Sequence, residues 1–173
     1  CRLLAPEQGS FGIGVVAGFG TSVRNYGVEL WPWLARFSGL DVNTALRYDR
    51  REPHQALRAV NWLTILDDVW VGKLGGLARI EDALHPEGRI YPYEGGVILR
   101  ACTHPQLGDI NVAGAPEAYV RVDRLIRPFR YTGYSAAKPM ENLKVPDPLD
   151  GHEATLDWVT RFERLDPDVA GGA

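Results

Sequence analysis

Cysteine is nearly absent from this sequence: Cys1 and Cys102 are the only two. Two cysteines do not make a disulfide framework, and no histidine pair stands at a spacing that would complete a structural zinc site. A reduced, cytoplasmic home is therefore expected. No run of about 18 apolar residues occurs, so no membrane-spanning helix is expected. Basic residues are not in excess. The net charge is −3 and the pI is near 5.8, which argues against nucleic acid as a direct partner. Internal repeats, low-complexity tracts and a long linker are all missing, so residues 1–173 read as one domain. There is no G-x-S-x-G elbow, and Ser10, Ser22, Ser38 and Ser135 carry no local mark of a nucleophile.

The first residue is Cys rather than Met. The expectation is that residues upstream of Cys1 are missing from this sequence. The alternative is an envelope lipoprotein, lipid-anchored or periplasmic, with Cys1 as its mature N-terminus. The segment that follows, Arg2-Leu3-Leu4-Ala5-Pro6, is unlike the polar, Ser/Gly-rich tether of such proteins.

What the chain has in quantity is tryptophan, five residues in all. Each buries roughly 150–250 Å² when packed, so these rings should dominate the core or an interface. Residues 9–20, GSFGIGVVAGFG, contain Gly12, Gly14 and Gly18. That spacing is not the dinucleotide fingerprint, and an apolar strand with close backbone neighbours is expected instead. Residues 22–37 carry Tyr26, Leu30, Trp33, Leu34 and Phe37 at helical spacing. Pro32 interrupts the pattern and predicts a kink, or a fresh start near Trp31. Ser38-Gly39 closes it, and residues 41–51 read as a polar segment with a short strand.

Residues 60–76, VNWLTILDDVWVGKLGG, raise the question of the adjacent carboxylates Asp67 and Asp68. Trp62, Leu66, Val69 or Trp70, and Leu74 fit one face of a helix. Neighbours on a helix point about 100° apart, so the pair could not converge on one proton or one metal. Alternatively Asp67 is an N-cap, with residues 64–66 a strand before it. Both accounts are structural, with Trp62 and Trp70 in the core.

Downstream, residues 77–84 predict a second short helix ended by His85-Pro86. Residues 89–99, RIYPYEGGVIL, predict a hairpin around Glu94-Gly95-Gly96, with Pro92 on an edge strand. Residues 103–111 read as a loop. Residues 116–129 form an amphipathic helix, with Arg121, Arg124 and Arg127 mostly outward. Residues 130–149 look irregular. Residues 150–164 form a last helix opened by Asp150 with Glu153, and residues 166–173 should fray. The fold class is α+β: a mixed or antiparallel sheet with a hairpin near residues 89–101, packed against amphipathic helices.

Two chemical constellations stand out. His104 and Asp109 share the loop HPQLGD, where they could bind metal or do acid–base work in a hydrolase. The competing reading is turn chemistry, with Asp109 bonded to backbone N–H groups. Cys102 follows a strand in an apolar context and reads as a buried small residue. Separately, the segment from Glu141 onward holds eight acidic residues against Lys144, Arg161 and Arg164. It is strongly acidic while the rest of the chain is slightly basic. Such a segment suits a basic protein partner, although a solvated helix face explains it equally well.

Read in order, FSGLDV, VNWLTILDD with its LGG, EGGVIL, PQLGDIN and EAYVRVDRLIRPFR resemble the bacterial type VI immunity family, first catalogued as a domain of unknown function. The resemblance runs from Gly9 to Tyr131. Members usually carry a further α/β segment ahead of the point where this chain begins. The resemblance implies a non-enzymatic inhibitor with no cofactor. Its partner would be a cognate type VI toxin, with a restriction-endonuclease-like DNase acting in the cytoplasm as one such target. On charge alone, Asp147, Asp150, Glu153 and Asp157 are the expected partner-binding residues.

Overall fold

A computed structural model describes residues 6–15, 27–42, 54–57, 60–131, 133 and 145–170. Expectations for residues 1–5, 16–26, 43–53 and 134–144 lie outside these, as do Cys1 and the start of the first predicted helix. The centre is a four-stranded antiparallel sheet of order β1-β4-β6-β5. It is built from β1 (Gln8–Phe11), β4 (Leu63–Asp67), β5 (Arg89–Tyr93) and β6 (Gly96–Arg100). A second, two-stranded parallel sheet pairs β2 (Gly14–Val15) with β3 (Asp41–Val42). Residues 9–15 thus supply two short strands to different sheets, not one continuous strand.

The 60–76 stretch resolves in favour of the strand-then-cap alternative. Thr64 and Leu66 of β4 point to the core opposite Leu99 and Val97 of β6, while Ile65 faces Ile98 on the other side. This period of two is what a half-buried strand requires. At Asp67 the chain turns into helix α2 (Asp68–Lys73). The Asp67 side chain accepts the Trp70 N–H at 3.0 Å, and the Asp68 N–H donates to Gly95 O in the hairpin turn at 3.0 Å. Helix α3 (Leu77–Leu84) follows, and the hairpin then lies where expected, with Pro92 on edge strand β5. Gly96 is required there: a Cβ would lie 2.2 Å from Leu66 O.

Helix α4 (Glu117–Ile126) packs on the sheet and passes into a 3-10 turn (Arg127–Phe129). The main core joins Leu66, Trp70, Val97, Leu99, Tyr119 and Ile126 with their neighbours. Trp70 is fully buried and meets Phe129 edge-on at 5.6 Å. Trp62 is only partly buried, at the margin of this core. A second, smaller core joins helix α1 (Gly27–Arg36) to helix α5 (Gly151–Val159) through Leu34, Leu40, Trp158 and Val159. Helix α1 runs through Pro32 without a fresh start. The last predicted helix breaks at Thr160, whose hydroxyl donates back to Leu156 O at 2.8 Å, and resumes as α6 (Arg161–Arg164).

Two expectations about charge are corrected. The arginines of α4 and of the turn after it do not simply face water. Arg124 and Arg127 both donate to Asp166, and Arg127 and Arg130 to the buried Asp123. Residues 166–170 do not fray either. Asp166 is 1% exposed, and helix α7 (Pro167–Ala170) follows it. A carboxylate this deep is stable only with such partners. The guanidinium of Arg124 holds Asp166 well below the usual carboxylate range. Asp123 is pushed up by burial, with Arg130 and Arg127 pulling it back.

Candidate partner-binding surface

The carboxylates that drew attention in the sequence have structural partners. Asp67 divides its oxygens between the Trp70 N–H and the His54 ring, whose Nε2 lies 2.5 Å away. Asp68 is exposed, so the two do not form a converging pair. His54 is the residue that reading the sequence missed. It sits at φ 62°, its N–H donates to Glu7 at 2.7 Å, and its carbonyl accepts from Lys73. Nothing local in the sequence signals its tie to Asp67.

Asp109 likewise is tethered. The Arg36 guanidinium grips both its oxygens, with Nε 3.0 Å from each, and the Asn111 N–H donates to it at 3.1 Å. Arg36 holds the Asp109 carboxyl below its ordinary pKa. His104, on the same loop, is exposed. Among the described residues, no three or more His, Cys, Asp or Glu side chains are placed to hold a metal ion. Cys102 is buried, its Sγ–H donates to His104 O at 3.0 Å, and burial pushes the thiol up. That is the setting of an inert thiol.

The loop is nonetheless held firmly. Ser38 N–H donates to Gly108 O, Gly39 N–H to Leu107 O, and Ile110 N–H to Arg36 O. From the other side the buried Tyr119 hydroxyl accepts the Gln106 N–H at 3.0 Å. Burial raises the Tyr119 pKa to about 12, so this hydroxyl stays protonated. Gly108 has φ 65°, and a Cβ there would strike Pro116 and Ser38. The Gln106–Asp109 turn and the Pro116–Tyr119 segment are thus two halves of one clamp. It presents Leu107, Ile110 and Val112 to solvent beside α1, where Trp33 is 57% exposed and stacks on Phe37 at 5.8 Å.

The acidic segment divides into two groups. Glu163, Asp166 and Asp168 are engaged with Arg124, Arg127 and Arg130. Asp147, Asp150, Glu153 and Asp157 are all exposed. On α5 the last three recur three and four residues apart, which lines them along one face. Asp150 is the N-cap, accepting from His152 and Glu153 N–H groups at 2.8 and 3.0 Å, and these bonds lower its pKa. Asp157 stands 3.4 Å from Arg164. Between this face and the clamped loop lies a cavity of about 370 Å³, walled by Trp31, Leu34, Ile110, Asp157, Trp158 and Arg164.

The family model described as TsiV, type VI immunity for VRR-NUC, matches residues 1–162. The chain belongs to the TsiV family. Type VI immunity is the function of that family, and the resemblance noted from the sequence stands, extended to both sides of residues 9–131. A solved structure, Pseudomonas aeruginosa T6SS protein PA0821, shares the fold with a TM-score of 0.76 and 24% identity. It covers 98% of this chain, which spans 47% of its length. No curated protein matches the chain. Among the described residues of this TsiV-family chain, no helix is long and apolar enough to cross a membrane.

Proposed function

We propose that this protein binds a VRR-NUC nuclease toxin in the cytoplasm and neutralises it by protein–protein contact, with no catalysis of its own. The family match over residues 1–162 carries this reading. It is supported by the exposed carboxylates Asp147, Asp150, Glu153 and Asp157, which we take as contact residues. A nuclease must offer a basic surface to a polyanion. A row of fixed carboxylates can occupy that surface in place of phosphates and speeds encounter.

The test is co-expression with a candidate VRR-NUC toxin from the same genome, read by viability and by pull-down. The toxin alone should kill, and the pair should survive and co-purify. Asp150→Ser together with Asp157→Lys should weaken protection. Serine keeps the N-cap acceptor, so that loss would report charge and not a damaged helix. Survival without a complex would refute neutralisation by contact.

A further inference from the structure

Beyond the charged face, the cavity between α1, the clamped loop and α5 has the build of an anchor socket. Its walls are mostly apolar and aromatic, Trp31, Leu34, Ile110 and Trp158, with the buried Arg161 guanidinium 4.0 Å over the Trp158 ring and spent on the Ser38, Trp158 and Val60 carbonyls. Its volume, about 370 Å³, stands at the small end of binding pockets and suits one or two side chains better than a large ligand. Trp158 is 3% exposed, and its indole N–H finds no acceptor among the described residues. Buried indole N–H groups are normally bonded. Asp157 and Arg164 stand at the same site, and Glu153 is one helical turn from Asp157. The loop wall is already fixed by Arg36, Ser38 and Tyr119, so little ordering entropy remains to be lost on binding.

We infer that this socket takes an apolar or aromatic side chain from a basic segment of the toxin, with an adjacent Lys or Arg of that segment held by Asp157 and Glu153. The inference rests on the proposed function, because a nuclease partner carries the basic surface that this lip complements. A buried anchor ringed by charge is where binding energy concentrates in interfaces.

The experiment titrates the full chain into that VRR-NUC toxin, catalytically inactivated, by calorimetry. Ala35 is exposed on α1 at the cavity wall, so Ala35→Trp fills the socket from outside the core. It should raise Kd by about 30-fold or more. Asp157→Lys should raise it roughly 10-fold and flatten its salt dependence. Asp68→Lys, an exposed change of the same charge on α2, should move it by less than about threefold. Amide exchange of the wild-type complex needs no variant. New protection over residues 31–38 and 157–165 is expected. If wild type binds while Ala35→Trp binds as well and these amides stay unprotected, the toxin docks elsewhere: the inference falls and the proposed function stands. If wild type does not bind at all, both fall.

Discussion

Asp166→Asn tests whether the C-terminal residues are stapled or merely resting. The wild-type carboxylate accepts from Arg124 Nε at 2.8 Å and Nη2 at 2.5 Å, from Arg127 Nη2 at 2.8 Å, and from the Asp168 N–H at 3.1 Å. Asparagine keeps one acceptor and turns an NH₂ donor toward guanidinium donors. At least two charge-assisted bonds are lost, each contributing about 1.5–3 kcal/mol. Arg124 and Arg127 are partly exposed and can rehydrate, so the lower end applies and the expected loss is about 3 kcal/mol, near the bottom of the range for breaking a buried pair. Urea unfolding at pH 7 measures it. The pH dependence has a definite sign. Arg124 holds the Asp166 carboxyl below its unfolded value, so its stabilisation is complete above about pH 4 and fades as pH falls further toward the folded pKa. The gap between wild type and variant should therefore narrow steadily as pH falls below about 4. A gap under about 1 kcal/mol at pH 7, or one that does not narrow in acid, would refute the reasoning.

Two further substitutions probe the stretch around the adjacent aspartates. Asp67→Ala removes the α2 cap and the His54 partner and should cost about 1–2 kcal/mol in urea unfolding, whereas Asp68→Ala should stay within about 0.5 kcal/mol; equal effects would mean that the cap is not what distinguishes the two. Gly96→Ala forces a Cβ to within 2.2 Å of Leu66 O. It should cost about 2–3 kcal/mol, a fall in Tm of roughly 4–12 °C. Gly72→Ala, with open space around it on α2, should leave Tm unchanged or slightly higher, and calorimetry of the pair separates backbone crowding from any general intolerance of alanine.

The local elements were legible because their signals are local. Alternation and a Gly-Gly turn place the 89–99 hairpin, Pro92 can tolerate only an edge, and Asp150 before Glu153 marks a helix start. Each depends on backbone hydrogen bonding within a few residues. The switch from strand to helix at Asp67 was open in sequence. Leu66 and Trp70 satisfy a helical spacing as well as a strand joined to a capped helix, and only pairing with β1 and β6 decides between them. Charge was the least legible. Sequence counts carboxylates without knowing their partners, so Glu163, Asp166 and Asp168 read as part of an acidic surface. Arginines some forty residues earlier in fact neutralise them. The ordered motifs determined the family and the α+β class, because those follow from pattern. The cavity between α1, the 103–115 loop and α5 was decided by tertiary structure alone. Its walls are Trp31, Ile110 and Trp158, far apart in sequence, and packing distance is not a property that any short stretch of chain encodes.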